Sequence, residues 1–285
     1  MISYNYLASP GQLGNQMFKY AALRGIAHNL NKDFMMPPSY PYLSNNKLLR
    51  RISIKTKLVD KKNKQNHLLF KYFKMESVNK KNIGYSDTDI MIKENSFEFD
   101  DNIFNFKDDK FDIYGFFQSE RYFKEVELII KNDFKFKKNI DEKGIYIFKK
   151  LNNPVSIHVR RGDFLTNPNH NVLDLNYYEQ GIELFDNREF LVFTDDINWC
   201  RNQKLFKSKK FIFAGDHTRS NEALDLNLMS KCNYHIIANS SFSWWGAWLS
   251  NKKRVIYPSN WFKNSKLSHL NTKDLIPEDW EKLEN

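Results

Sequence analysis

The sequence has little cysteine and no long apolar run, and each absence excludes a class of protein. Its two cysteines, Cys200 and Cys232, are too few for a disulfide framework or a four-ligand zinc site. We expect both to be free thiols in a reducing compartment. No apolar stretch reaches the roughly 18–20 residues that span a bilayer, and the first residues lack a secretory pattern. The sequence therefore predicts a soluble, cytoplasmic protein.

Acidic residues are scarce in one segment, and the charge of the chain is correspondingly uneven. The formal net charge is +10, and residues 46–82 supply all of it, with twelve Lys or Arg against Asp60 and Glu76. Such a block is most often solvated surface. Its functional interpretation is peripheral contact with the anionic inner membrane or with an acidic acceptor glycan. Because the chain lacks recognisable nucleic-acid-binding modules, we expect no nucleic-acid partner.

The order of predicted elements indicates an α/β protein with two lobes. Residues 2–8 predict a strand, and residues 16–31 predict a helix after a glycine-containing loop. From residue 154 onward, short strands rich in Val, Ile and Phe alternate with helices, which is typical of a parallel sheet with right-handed crossovers. Residues 149–153 are the expected linker. We therefore expect an N-terminal lobe with an irregular insertion over 1–150 and a C-terminal α/β lobe over 154–285.

The strand predicted at residues 155–159 leads into the best candidate for a binding site. Strand alternation places His158 and Arg160 on one face. Ligands of open parallel sheets bind beyond the carboxyl ends of the strands, where Arg160 could bind a phosphate in bidentate fashion. Arg161 and Asp163 either contribute to this binding site or form an ion pair that closes the loop.

Polar side chains also follow two other predicted strands. Asp195 either caps the next helix or accepts hydrogen bonds from guanine or ribose. Asn239, Ser240 and Ser241 precede a helix whose first backbone amides would suit a diphosphate, although both serines could be simple caps. The N-terminal loop around Gly14 is either a close backbone approach to the ligand or a structural turn.

Several of these segments together resemble one enzyme family. The segments are residues 11–18 (GQLGNQMF), 115–120 (GFFQSE), 158–163 (HVRRGD), 193–196 (FTDD) and 239–248 (NSSFSWWGAW). They resemble bacterial α-1,2-fucosyltransferases of glycosyltransferase family 11. The resemblance implies a GT-B architecture with two Rossmann-like lobes facing across a cleft. It also implies a GDP-fucose donor, no required metal or cofactor, and inversion at the anomeric carbon.

The resemblance also implies roles for individual residues. Arg160 would hold the β-phosphate, and His158 and Asp195 the guanine side. The expected donor-binding set is His158, Arg160, Arg161, Asp195, Asn239, Ser240, Ser241 and Gly14. Asn15 would face the transfer point, and the expected acceptor-side set is Gln12, Asn15 and Gln118. The Asp87-Thr88-Asp89 segment resembles a metal clamp, but it follows no clear strand, and we interpret it as a surface acidic patch.

The chemistry of transfer adds a requirement for charge stabilisation and for a base. The leaving GDP gains negative charge, which Arg160 could stabilise without Mg²⁺. The resemblance does not supply the base, because the loop at residues 166–171 has no carboxylate where the α-1,6 relatives carry one. Asp163 and His170 are the candidates for a general base. The leading hypothesis is transfer of L-fucose to the 2-hydroxyl of a terminal galactose on an oligosaccharide or glycolipid. The alternatives are another linkage such as α-1,6, a non-catalytic nucleotide-sugar or glycan-binding protein, and a nucleic-acid binder.

Overall fold

The computed structural model describes residues 1–38, 67–185, 187–262 and 270–285. Most of the basic block predicted at residues 46–82 lies outside these residues, so its proposed membrane contact stays a prediction. Within the described ranges, no helix is both long enough and apolar enough to cross a membrane. Cys200 and Cys232 are free, as the sequence predicts, and both are buried.

The chain divides into two compact units. The first comprises Met1–Lys137 together with Asn271–Ile276, and the second comprises Lys138–Leu270 together with Pro277–Asn285. The sequence predicts the linker at residues 149–153 instead. The helix at Lys138–Phe148 belongs to the second unit because Ile147 packs with Leu228 and other buried residues of that unit.

The first unit is built on a four-stranded parallel sheet. Its strands are β1 (Ile2–Ser3), β2 (Phe34–Met35), β3 (Met91–Lys93) and β4 (Phe111–Tyr114), in the order β2-β1-β4-β3. Its helices within residues 1–38 and 67–137 are α1 (Leu13–Asn29), α2 (Leu69–Tyr72) and α3 (Glu127–Asp133). Helix α1 buries residues on every side, including Phe18, Tyr20 and Leu23, so it belongs to the core of this unit.

The first strand is shorter than the predicted 2–8, because side chains replace strand partners from Asn5 onward. The backbone N–H of Asn5 donates to Oδ1 of Asp112, and the Asn5 side chain donates to the carbonyl of Ser86, both at 2.9 Å. A strand needs its backbone groups to bond a neighbouring strand. The chain therefore leaves the sheet here and enters the loop that precedes α1.

The second unit contains a six-stranded parallel sheet. Its strands are β5 (Val155–Val159), β6 (Phe190–Thr194), β7 (Phe211–Phe213), β8 (Tyr234–Ile236), β9 (Arg254–Pro258) and β10 (Glu281–Leu283), in the order β10-β9-β8-β5-β6-β7. Its helices are α4 (Lys138–Phe148), α5 (Leu175–Glu183), α6 (Ile197–Asn202), α7 (Gly215–Thr218), α8 (Glu222–Met229) and α9 (Ser241–Trp248). The order is that of a Rossmann sheet, in which the order of successive strands reverses between β5 and β8.

Candidate functional site

The carboxyl ends of β5 and β8 lie side by side at the switch point of the second sheet. Strand β5 pairs with β8 on one side and with β6 on the other. Crevices at such switch points are where open α/β sheets bind ligands. The topology therefore brings three predicted segments to one edge of the sheet: Arg160 after β5, Asp195 after β6, and Ser240 after β8.

Two carboxylates hold the guanidinium of Arg160. Its Nη1 lies 2.9 Å from Oδ2 of Asp195, and its Nη2 lies 2.5 Å from Oδ1 of Asp163. The Arg160 Nε is buried and makes no hydrogen bond to any described residue. The side chain of Arg160 is 20% exposed, so an anion at this edge of the sheet could reach it.

Asp195 is not the cap of α6, which was the alternative interpretation from the sequence. The cap is Asp196, whose side chain accepts the N–H of Trp199 at 3.1 Å. Asp195 instead accepts the backbone N–H of Arg161 at 2.9 Å with the oxygen that does not contact Arg160. It therefore organises both arginines that follow β5.

The Arg161 side chain turns towards α6. Its guanidinium lies 3.7 Å from the ring centre of Trp199, and its Nε lies 3.3 Å from Oδ2 of Asp196. This agrees with the loop-closing alternative more than with phosphate binding, although the pairing is with Asp196 and not with Asp163. The sequence analysis did not predict that Trp199 contacts Arg161. The only signal in the sequence was its position three residues after Asp196, the cap of the same helix.

His158 is buried at the end of β5 and is neutral near physiological pH. Burial, together with the nearby charge of Arg160, lowers the pKa of its imidazole from 6.5 to about 3. Its ring centre lies 5.8 Å from that of Phe242 in the first turn of α9. Its Nδ1 has no hydrogen-bond partner among the described residues. A neutral ring with one unpartnered nitrogen can bond a nucleotide base or ribose, the role the resemblance implies.

The two candidate bases are close to the same arginine. The His170 ring stacks on that of Phe164, with centres 4.2 Å apart and planes at 6°. Burial is the main cause that lowers the pKa of His170, while Asp163 raises it and Arg160 lowers it. Asp163 is half-exposed and contacts Arg160. The structure thus brings together the three residues that the sequence predicts as catalytic.

The segment after β8 contains the buried side-chain amide of Asn239 and the first residues of α9. The Asn239 side chain donates to the carbonyls of Asn171 and Trp261, both at 2.9 Å, and its buried Oδ1 is unpartnered within the described chain. Ser240 caps α9 by accepting the N–H of Phe242 at 3.3 Å. Ser241 is the first residue of α9. Asn239 is therefore held in place by its own donors, and Ser240 acts at least as a helix cap.

The predicted acceptor-side residues lie in the first unit. Nε2 of Gln118 donates to Oδ1 of Asn15 at 2.9 Å, across 103 residues of sequence. Gln12 is exposed just before α1, and Gly14 is buried in its first turn. Gly11 has a φ of +110°, and a side chain there would lie 2.5 Å from Nδ2 of Asn15. Asn15 and Gln118 thus form a pair beside a glycine turn.

No group of three or more His, Cys, Asp or Glu side chains that could hold a metal ion occurs in the described part of the chain. In the Asp87-Thr88-Asp89 segment, Asp87 is exposed and forms an ion pair with Lys110. Thr88 donates to the backbone carbonyl of the same lysine at 3.1 Å.

Comparisons with known proteins agree on one family. The sequence profile of glycosyl transferase family 11 matches residues 3–284. An alpha-1,2-colitosyltransferase of Escherichia coli is 33% identical over 294 residues, covering 96% of this chain and 97% of the relative. The galactoside 2-alpha-L-fucosyltransferase SEC1 of Bos taurus is 30% identical over 109 residues, covering 35% of this chain and 30% of the relative.

A solved structure supports the same fold at low sequence identity. The fucosyltransferase NodZ from Bradyrhizobium aligns with a TM-score of 0.53 at 10% identity, covering 89% of this chain and 94% of NodZ. With its two parallel α/β units, the chain confirms the GT-B fold class expected from the sequence. The family profile and the full-length relative show that this chain is a glycosyltransferase and belongs to glycosyl transferase family 11.

Proposed function

We propose that the enzyme transfers L-fucose from GDP-fucose to the 2-hydroxyl of a terminal galactose, with inversion and without a metal ion. The observation that carries the proposal is Arg160 at the switch point of the second sheet, held by Asp163 and Asp195 beside the start of α9. A fixed guanidinium at this position can stabilise the charge that develops on the leaving diphosphate. The diphosphate would compete with Asp163 for Nη2 of Arg160.

The names of both relatives support the linkage, and one of them also supports the two sugars. One relative is named as a galactoside 2-alpha-L-fucosyltransferase, and the other as an alpha-1,2-transferase. We further propose that His158, Asp195 and Asn239 contact the nucleoside side of the donor, while Asn15 and Gln118 contact the acceptor. Either Asp163 or His170 would take the proton of the attacking hydroxyl.

A second candidate donor follows from the name of the full-length relative. That relative is a colitosyltransferase, and colitose is fucose without its 3-hydroxyl group. A pocket built to hydrogen-bond that hydroxyl would discriminate strongly between the two sugars, whereas an apolar pocket would discriminate weakly. GDP-colitose is therefore the alternative donor.

An activity assay separates these candidates. The purified protein is incubated with GDP-fucose or GDP-colitose and lactose, with EDTA present, and the product is analysed by mass and linkage. We expect α-1,2-fucosyl-lactose and GDP. Transfer from GDP-colitose alone would show that colitose, not fucose, is the transferred sugar. A linkage other than α-1,2 would contradict the proposed acceptor hydroxyl. Loss of activity in EDTA would contradict the metal-free step.

Substitution of Arg160 tests the role of the guanidinium in that step. Arg160→Ala should lower kcat by about 10²–10³-fold, the cost of removing one preorganised group that stabilises developing charge. Arg201→Ala is the matched control, because Arg201 forms an exposed ion pair with Asp216 in the same unit. Near-normal turnover of Arg160→Ala would contradict the proposal, provided that its unfolding midpoint is unchanged.

A further inference from the structure

A cavity of about 350 Å³ lies in the first unit, between the end of β3 and the 3-10 helix Asp101–Asn105. Its volume is within the range of sites that bind small molecules. Its lining combines four aromatic and two aliphatic side chains with eight polar or charged ones. That mixture is suited to a sugar, which has apolar C–H faces and a rim of hydroxyl groups.

Four aromatic residues form the apolar part of the lining, namely Phe99, Phe106, Phe117 and Tyr122. The Tyr122 ring packs on Phe99 with centres 4.8 Å apart and on Phe117 with centres 5.2 Å apart. The Tyr122 hydroxyl accepts the backbone N–H of Asp100 at 2.9 Å. Because the hydroxyl is bonded within the protein, the ring is fixed in orientation and serves as an apolar wall.

The charged part of the lining is predominantly acidic. Glu94, Glu98, Asp100 and Asp101 line the cavity, and Lys93 is the one basic residue among its described lining. Glu98 forms an ion pair with Lys273 at 3.0 Å, which leaves an acidic excess around the exposed Asp101. Carboxylates accept hydrogen bonds from sugar hydroxyls and repel a second carboxylate.

Glu94 joins this cavity to the predicted acceptor-side pair. It lines the cavity, and its two carboxylate oxygens accept the backbone N–H groups of Phe116 at 2.6 Å and Phe117 at 2.7 Å. The next residue is Gln118, whose side chain donates to Asn15. One short loop therefore separates the cavity from the pair, and all of these residues belong to the first unit.

We propose that this cavity binds a sugar residue of the acceptor glycan other than the galactose that is modified, and that it selects uncharged sugars. The assignment rests on the proposed function, because it requires a glycan acceptor whose terminal galactose contacts Asn15 and Gln118. The half-buried rings of Phe99 and Phe106 pack against the sugar ring, while Asp101 and Asn95 at the rim accept and donate hydrogen bonds to its hydroxyls. An acidic sugar is excluded by the surplus of carboxylates.

Filling the cavity tests whether it contributes to acceptor binding. Asn95 is exposed and lines the cavity, so Asn95→Trp should obstruct it without disturbing the core. The variant is compared on lactose and on a neutral tetrasaccharide with the same terminal galactose. We expect the ratio of kcat/KM for the tetrasaccharide to that for lactose to fall about tenfold, with KM for the donor retained.

The matched control is Lys124→Trp, which places the same ring on an exposed residue that does not line the cavity. This control should keep the ratio of the unmodified protein. An unaltered ratio in Asn95→Trp would overturn the inference while leaving the proposed function intact. Absence of transfer by the unmodified protein to any galactoside would count against the proposed function instead.

The charge preference has its own test. The neutral tetrasaccharide is compared with an analogue in which one internal sugar is a uronic acid. Asp101→Asn should raise the relative kcat/KM for the acidic analogue about threefold, because it removes one repelling charge near the protein surface. Equal use of both acceptors by the unmodified protein, or no change in the variant, would overturn the selectivity.

Discussion

The carboxylate of Asp195 makes two contacts that depend on the residue between Arg161 and Asp163. Position 162 is glycine, and a side chain there would approach Oδ2 of Asp195 to 2.5 Å and Cγ to 3.1 Å. The absence of a side chain allows Asp195 to reach both Arg160 Nη1 and the N–H of Arg161. Gly162 is thus required for close approach, not for a special backbone angle.

Gly162→Ala should therefore weaken donor binding. The added methyl group would displace the carboxylate of Asp195 and release Arg160, and we expect the Kd for GDP to rise about tenfold, equivalent to the loss of one charged contact. Isothermal titration calorimetry with GDP measures the change. Gly215→Ala serves as the control, because there the nearest atom is the flexible end of Ile197 at 3.2 Å. Equal GDP affinity in both variants would contradict this role of Gly162.

At the scale of single elements, helix α1 lies unusually close to another backbone segment. A side chain at Gly25 would come within 1.9 Å of the carbonyl oxygen of Tyr122 and 2.7 Å of Cα of Phe123. These atoms belong to the main chain and cannot rotate away. The same segment carries Tyr122, which forms a wall of the cavity.

Gly25→Ala should accordingly destabilise the protein, against the trend of helix propensity. Replacing glycine by alanine inside a helix normally stabilises it by about 1 kcal/mol. Here the backbone clash should lower the free energy of unfolding by about 1–3 kcal/mol, as overpacking does in other cores. Urea unfolding followed by circular dichroism gives the value. An increase in stability would show that the two segments are farther apart than described.

Sequence periodicity predicts α1 to within a few residues. The apolar spacing of residues 120–134 is typical of one amphipathic helix, but the chain forms two short 3-10 helices there before α3. Tertiary contacts explain the difference. The backbone N–H groups of Arg121 and Tyr122 are directed to Ser119, and Tyr122 packs on Phe99 and Phe117. The apolar spacing within a segment carries no information about its contacts with distant residues.

At the scale of the whole molecule, all six tryptophans lie in the second unit, so their fluorescence reports on that unit. Among the buried titratable groups of this unit, two histidines and one aspartate have pKa values that affect stability in mildly acidic solution. Burial lowers the pKa of His158 and of His235 from 6.5 to about 3, and raises that of Asp225 from 3.8 to about 6. These shifts make the stability of the unit dependent on pH.

The stability of the second unit should fall as the pH drops below 6.5. The unfolded chain protonates both histidines below that pH while the folded unit keeps them neutral, so their contribution is lost on acidification. Asp225 acts in the opposite direction, because the folded unit holds its proton up to about pH 6. The net difference is about one proton between about pH 5 and 6, or about 1.4 kcal/mol per pH unit.

Urea unfolding followed by tryptophan fluorescence measures this slope. Asp225→Asn removes the opposing group and should steepen the slope to about two protons. A free energy of unfolding that stays constant over this range in the unmodified protein would contradict the neutral, buried state of the histidines.

The sequence by itself determined the fold class and the family, because strand–helix alternation and contiguous motifs such as 158–163 and 239–248 are local properties of the chain. It also placed His158, Arg160 and Ser240 at strand ends. Only the tertiary structure decided that Asp195 serves two arginines, that α4 belongs to the second unit, and that Gln118 bonds Asn15. Those contacts join residues far apart in sequence, and their partners are selected by packing and not by spacing.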